Sequence, residues 1–256
     1  MGFIGGDLAY RFLKRFYPEG QGVPMPSGAV IDREKELGKL KLFLGNGIYD
    51  EFRNKTVVDF GCGSGWTCVE LALNGVRHVT GIDIVEENLE SGRKLAAEYG
   101  VSDKCTFALS TNERVDVVLS VDAFEHFGDP ASILVKINEL LKDDGSLIVS
   151  FGYTWYHPLG GHLFSVFPWA HLIFTEAALI RWRSDFKTDG ATRFGEVAGG
   201  LNQMTIRRWE KLVAASPFEI TWQKVCPIRA ARWLYCSLTR ELFTSTMQFK
   251  LVPKRS

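Results

Sequence analysis

One stretch constrains the fold more than any other. Residues 56–65, TVVDFGCGSG, run from a buried apolar strand into three glycines two apart, and WTCVELALNG continues as a helix. A backbone that turns this sharply needs residues without a Cβ, and so does a ligand that approaches it closely. The helix that follows aims free N–H groups at such a ligand. HVTGIDI (78–84) reads as the next strand and ends in Asp83, 24 residues after Asp59. A carboxylate at that place accepts hydrogen bonds from both hydroxyls of a ribose. Strand, glycine turn, helix and spaced acid together point to an adenosine-type ligand at the C-terminal edge of a parallel sheet.

The rest of the chain repeats the same unit. Strands are expected at 104–110, 115–121 and 146–152, with helices near 7–16, 31–45, 86–100 and from Pro130 to Leu141. Pro130 stands at a good first helical position. TIRRWEKLVAAS (205–216) reads as a helix with Thr205 as N-cap. Two closing strands, 218–225 and 245–254, flank a helix near 229–243. Strands alternating with helices imply parallel strands joined by right-handed crossovers, hence a doubly wound α/β sheet. Four segments follow: an N-terminal helical and loop segment (1–54), a ligand-binding core (55–152), an insertion (153–204), and a C-terminal helix and strands (205–256) that complete the sheet.

Composition narrows the function classes. The 256 residues carry 30 Lys+Arg and 30 Asp+Glu, a formal net charge of zero. A dedicated nucleic-acid binder usually shows a basic balance or stripe, so no nucleic-acid partner is expected. Five cysteines are scattered without a CxxC pair. That suits a reducing compartment, and with no apolar leader-like stretch at the N-terminus a cytoplasmic location is expected. No run of about 20 apolar residues predicts a membrane span. The average hides one anomaly. Residues 151–180 carry a single formal charge, Glu176, and residues 151–186 hold ten of the 32 aromatics and three of the five histidines. Trp155, Tyr156, Phe164, Phe167 and Trp169 are candidates for a pocket wall or lid, for core, or for a face that meets a partner or a membrane surface. Arg181, Arg183, Lys187 and Arg193 follow as candidates to meet an anionic group.

A nicotinamide or flavin site would carry G-x-G-x-x-G. Here the glycines are 61, 63 and 65, and position 66 is Trp. Asp59 before the turn would sit poorly beside a pyrophosphate and suits a cationic ligand. VVDFGCGSG resembles motif I of the class I S-adenosylmethionine-dependent methyltransferases, and GIDI resembles the acidic end of their second strand. VDVVLSVDAFEHFGDP is similar to the fourth-strand region of the type-11 members, and LLKDDGSLIVS to their fifth strand; the likeness covers about residues 55–152. It implies a Rossmann-like seven-stranded sheet of order 3-2-1-4-5-7-6, strand 7 antiparallel, with a lid inserted after strand 5. It also implies S-adenosylmethionine as cofactor. Asp59, Gly61, Cys62, Gly63 and Gly65 would wrap the methionyl part. Asp83 would hold the ribose with Ile84 beside the adenine, and Ser120 and Val121 would lie under the cofactor. The family often has an Asp after strand 3; here the link is STNER, which leaves Ser110 or Thr111 at the adenine.

Methyl transfer is an in-line displacement at an activated carbon, so the enzyme mainly supplies alignment. A hydroxyl nucleophile also benefits from a base. The candidates are His126, after strand 4, and His157 and His162 in the aromatic segment, with His171 nearby; each has the bland alternative of a packed or backbone-bonded histidine. Histidine spacings of five and nine share no helical face, so no metal is expected. The sequence therefore predicts transfer of a methyl group to a small-molecule acceptor, through an oxygen nucleophile of a carbohydrate, lipid-linked or other metabolite. The alternatives are a nucleic-acid methyltransferase, whose usual N/D-P-P-Y/F motif is replaced here by SVDAFEHF, and a non-catalytic cofactor-binding relative.

Overall fold

The computed structural model describes residues 2–18, 33–197 and 199–254. Seven strands form one sheet: β1 (Thr56–Phe60), β2 (His78–Ile82), β3 (Cys105–Ala108), β4 (Val115–Val121), β5 (Leu141–Phe151), β6 (Phe218–Pro227) and β7 (Thr244–Pro253). Their order is β3-β2-β1-β4-β5-β7-β6. β1 to β5 pair in parallel, and β7 runs antiparallel to both β5 and β6. The doubly wound sheet expected from the strand–helix alternation is what forms.

Strand alternation divides the core into two layers. Val57, Val117, Leu119 and Ile148 face one side with Phe52, Val69 and Leu89. Val58, Val118, Val149 and Phe249 face the other with Leu134, Ile137 and Trp209. Both faces are covered, as a parallel sheet requires. The helix Pro130–Leu140 starts where Pro130 allows it, and the Asp129 carboxylate accepts the amides of Ala131 and Ser132 at 3.2 and 3.3 Å. Thr205 caps Ile206–Ala215 by accepting the Arg208 amide at 3.1 Å.

Three local expectations are corrected. The single helix at 31–45 is two short ones, Arg33–Glu36 and Lys39–Leu44, parted at Leu37-Gly38. Gly38 at the joint removes helix propensity where continuity is needed. Residues 19–32, including the loop expected after the first helix, lie outside the described residues. The helix near 229–243 is a 3₁₀ segment, Arg229–Leu234, and a separate turn of α-helix, Arg240–Phe243. β5 begins at Leu141 rather than 146, because Leu141 pairs with Val115 across a register shift.

The aromatic insertion builds a third core of its own. Trp155, Phe164, Phe174, Leu179, Trp182 and Phe194 are buried together with Ala9 and Leu13 of the helix Gly6–Phe16. The Phe3 and Ile4 amides donate to Ile173 O, and the Thr175 amide donates to Ile4 O. The N-terminal helix and the insertion thus form one cap over the C-terminal edge of the sheet.

Candidate functional site

The three motif glycines do different things. All have positive φ: 84° at Gly61, 50° at Gly63 and 83° at Gly65. A Cβ at Gly65 would stand 2.7 Å from the Phe107 ring and 2.8 Å from Gly92 Cα, so this glycine lets the helix Trp66–Leu73 pack against its neighbours. A Cβ at Gly61 would meet Ala123 Cβ at 2.8 Å. A Cβ at Gly63 would meet nothing within 4 Å. It would project from the loop into open space, which is the position a bound ligand needs left bare.

That space is a cavity of about 640 Å³, within the range of small-ligand sites. Gly61 and Gly63 form one edge, and Asp83, Ile84, Val85 and Asn88 follow from the end of β2. Asp122, Ala123, His126 and Phe127 come from the turn after β4. The cap contributes Gly195, Val197, Gly199 and Gly200. Asp83 ties the sites together: its Oδ2 accepts the Gly63 amide at 2.9 Å, and its Oδ1 accepts the Val85 amide at 2.9 Å. Ile84 is 91% exposed and Leu109 58% exposed, although both line the cavity. Apolar side chains left open beside a carboxylate suit the base and the sugar of a nucleoside.

Other sequence candidates lie behind this surface. Asp59 is buried under the loop, where Cys68 donates to its Oδ2 at 3.5 Å, and burial pushes its carboxyl up to about 7. Cys62 and Gly65 are likewise outside the cavity lining, Cys62 in the core layer under β1. Ser120 is buried and donates to Phe60 O at 2.9 Å, which fixes the ends of β1 and β4 to each other. Val121 packs against the core beneath. The Thr111 hydroxyl accepts the Glu113 amide at 3.2 Å, and the cavity wall on that side is Leu109.

The histidines separate as well. His126 reaches the cavity, with Nδ1 2.9 Å from Gly200 O. A carbonyl only accepts, so Nδ1 carries the proton and Nε2 of the neutral ring is left with a lone pair. His162, in the 3₁₀ turn His162–Phe164, places its ring 5.1 Å from that of His126. His157 Nδ1 accepts the Leu159 amide at 2.9 Å, and His171 is bonded to Trp155 O at 2.7 Å. Burial holds His157, His162 and His171 all down at about 4, so they are neutral near pH 7. Glu125 is 2% exposed, and desolvation pushes its carboxyl well above the usual carboxylate range.

The aromatic side chains meet the core alternative, since Trp155 and Phe164 are buried inside the cap and the cap's wall of the cavity is Gly195, Val197, Gly199 and Gly200. Three of the four basic candidates are engaged: Arg181 with Asp7 at 2.6 Å, Arg183 with Asp189 at 2.5 Å, and Arg193 with Glu196 at 2.7 Å. Sequence reasoning missed Asp122, which lines the cavity and pairs with Lys39 at 3.2 Å. Its signal was its place, one residue past β4. It also missed Asn202, whose Nδ2 donates to Phe124 O at 2.6 Å and Phe127 O at 2.8 Å and so fastens the turn after β4 to the cap.

A family model described as a methyltransferase domain matches residues 30–220. The chain belongs to this methyltransferase family. Among curated relatives of the methyltransferase, a ubiquinone biosynthesis O-methyltransferase of Neisseria meningitidis serogroup C is 36% identical over 107 residues, 39% of this chain and 45% of that protein. A ribosomal protein L11 methyltransferase of Shewanella pealeana is 34% identical over 101 residues, 39% of this chain and 34% of that protein. The methyltransferase chain thus spans less than half the length of these relatives. A solved S-adenosylmethionine-dependent methyltransferase from Mesorhizobium loti shares the fold with a TM-score of 0.51 at 17% identity, over 78% of this chain and 92% of that one. So does a geranyl diphosphate methyltransferase solved with S-adenosylmethionine, with a TM-score of 0.54 at 13% identity over 85% of each chain.

Proposed function

We propose that this chain is an S-adenosylmethionine-dependent methyltransferase that methylates an oxygen of a small-molecule acceptor. The observation that carries the reading is the bare Gly63 edge joined to the Asp83 carboxylate in one cavity whose far wall belongs to the cap. The residues fit the cofactor. Asp83 has the charge and place to take the ribose hydroxyls, Ile84 and Leu109 would flank the adenine, and Gly61 and Gly63 leave room for the methionyl chain. When bound, the cofactor supplies a methyl group already activated on a sulfonium.

The chain's own residues then have three tasks. The loop and Asp83 fix the donor in place, which is where most of the rate of such a displacement originates. The cap closes the acceptor side and keeps bulk water out. His126, with Nδ1–H held by Gly200 O, presents an Nε2 lone pair that can take a proton from an acceptor hydroxyl. The cap wall of Gly195, Val197, Gly199 and Gly200 limits the acceptor to something that fits beside the cofactor in about 640 Å³. That favours a carbohydrate, lipid-linked or other small metabolite over a folded macromolecule. The O-methyltransferase relatives support the oxygen assignment.

The test is an acceptor screen. Purified protein with S-adenosylmethionine carrying an isotopically labelled methyl is offered panels of hydroxylated small molecules, peptides and RNA. Label in a hydroxylated small molecule, with His126→Ala reduced in kcat, supports the proposal. Label confined to peptide or RNA overturns it.

A further inference from the structure

We propose that Glu125, His126 and His162 form a binding site for a first-row divalent transition ion of the zinc class. One ligand atom from each lies within 4.8 Å of the others. Zinc-class ions take His nitrogen and carboxylate oxygen at about 2.0–2.2 Å, so side-chain shifts of less than about 1 Å would bring all three onto one centre. Two neutral imidazoles and one carboxylate are a donor set for zinc, cobalt, manganese or ferrous iron, and a poor one for magnesium, which prefers oxygen.

Three further observations point to a ligand here. Glu125 Oε2 and His162 Nε2 are both shielded from solvent and have no hydrogen-bond partner among the described residues. Buried polar atoms are nearly always satisfied, so two unsatisfied ones in the same cluster call for a ligand there. The third member is oriented as ligating histidines are, its Nδ1–H held by the Gly200 carbonyl so that Nε2 is free to donate its lone pair. His162 is also one of few non-glycine residues with positive φ, at 50°. That conformation costs stability unless the surroundings impose it, and such residues cluster at ligand clamps. The next residue on its N-terminal side, Gly161, lets the turn pass the His171 ring: a Cβ there would lie 2.4 Å from His171 Cβ.

The site joins the core to the cap. Glu125 and His126 follow β4, whereas His162 comes from the cap, 36 residues later. The Asn202 amide donates to Glu125 O, and the Asn202 side chain holds the carbonyls on either side, so the turn is fixed before any ion arrives. An ion here would staple the cap to the sheet. It would also stand at the wall of the cavity, since His126 lines it, where an oxygen of the acceptor could complete its coordination; with the ion bound the His126 Nε2 lone pair is taken, and the ion, by lowering the acceptor hydroxyl's pKa, replaces His126 as the group that helps the proton leave. Binding of the ion itself does not depend on methyl transfer; only its role beside an acceptor rests on the function proposed above.

The test uses chelator-treated full-length protein titrated with Co²⁺ and Zn²⁺. One equivalent of Co²⁺ is expected to give visible d–d absorption without a thiolate charge-transfer band, to be displaced by Zn²⁺, and to resist a large excess of Mg²⁺. Glu125→Gln, His126→Gln and His162→Gln should each weaken binding at least tenfold, while His157→Gln leaves it unchanged. Stabilisation by S-adenosylhomocysteine, measured separately, reports that each variant is folded and keeps the outcome independent of the cofactor reading. Should the variants not fold, carbethoxylation of the unaltered protein, followed by peptide mass spectrometry, answers the same question: Zn²⁺ should protect His126, which lines the cavity, and leave His78 reactive. No stoichiometric binding, a thiolate band, or protection that bypasses His126 overturns the site.

Discussion

The Asp83 carboxylate accepts the backbone amide of Gly63 at 2.9 Å, tying the end of β2 to the tip of the glycine loop. Its other oxygen accepts the Val85 amide, which sets the start of the helix Glu86–Glu98. One side chain therefore shapes the loop and faces the cavity. Charge-assisted hydrogen bonds are worth about 1.5–3 kcal/mol each. Asp83→Ala should weaken S-adenosylhomocysteine binding by about 10–100-fold. Calorimetric titration checks this; an unchanged affinity would remove Asp83 from the site.

Gly63 and Gly65 should fail in different ways. Gly65→Ala forces a Cβ against Phe107 and Gly92. Overpacking of this kind costs about 1–3 kcal/mol, on top of the positive φ. Gly63→Ala meets no protein atom, so its folding penalty is only that of the backbone conformation, about 1 kcal/mol. Its methyl group instead intrudes where the cofactor would lie. Urea melts should show the larger loss for Gly65→Ala, and titration should show the larger proportional loss of affinity per unit of lost stability for Gly63→Ala.

Asp59 predicts a pH dependence. Burial raises its folded pKa to about 7 from the ordinary 3.8. The folded state therefore holds a proton that the unfolded state releases between those values. The stability this group contributes is fully present below the unfolded pKa and is lost as pH rises through the folded one. Asp59→Asn removes the titration. The difference in unfolding free energy between the two proteins should shift in favour of the variant by a few kcal/mol between about pH 4 and 7. Parallel urea melts across that window test it, and a constant difference would mean that Asp59 is ionised in the folded protein.

Much of this was legible in the sequence because it is local. The strand–glycine–helix run, Asp83 at the next strand end, Pro130 and Thr205 each act through neighbours within a few residues, so periodicity and turn chemistry reveal them. What was not legible depends on distant parts of the chain. Lys39 meets Asp122, and His126 meets His162, only after the crossovers and the cap have folded. Spacing among the cap histidines says nothing of the grouping of His162 with Glu125 and His126, because those two lie after β4 and not in the cap. The aromatic segment left its alternatives open for a related reason. An uncharged aromatic stretch marks burial, but burial in the cap's own core and burial around a ligand have the same composition. The break at Gly38 follows local propensity that the apolar periodicity outweighed in the reading, and the 3₁₀ turn at Arg229–Leu234 replaces a helix that the same periodicity suggested.

Asn202 predicts coupling between cap and core. Its side-chain amide holds two carbonyls of the turn that carries Glu125 and His126. Asn202→Ala leaves those carbonyls unpaired, at a cost of about 1–3 kcal/mol in stability. Because the residue does not line the cavity, cofactor affinity should change less than fivefold, while kcat falls more than tenfold as His126 loses its position. A loss of affinity as large as the loss of kcat would show that the turn serves the cofactor and not the acceptor.

The most direct measurement is a titration of the full chain with S-adenosylhomocysteine, run beside NAD under the same conditions. The structure predicts one site per chain for the sulfur ligand and, at a concentration a hundredfold above Kd, a stabilisation of about 2.7 kcal/mol in thermal unfolding. NAD should give neither. Absence of heat and of any thermal shift with S-adenosylhomocysteine, in protein shown to be folded, would contradict the account.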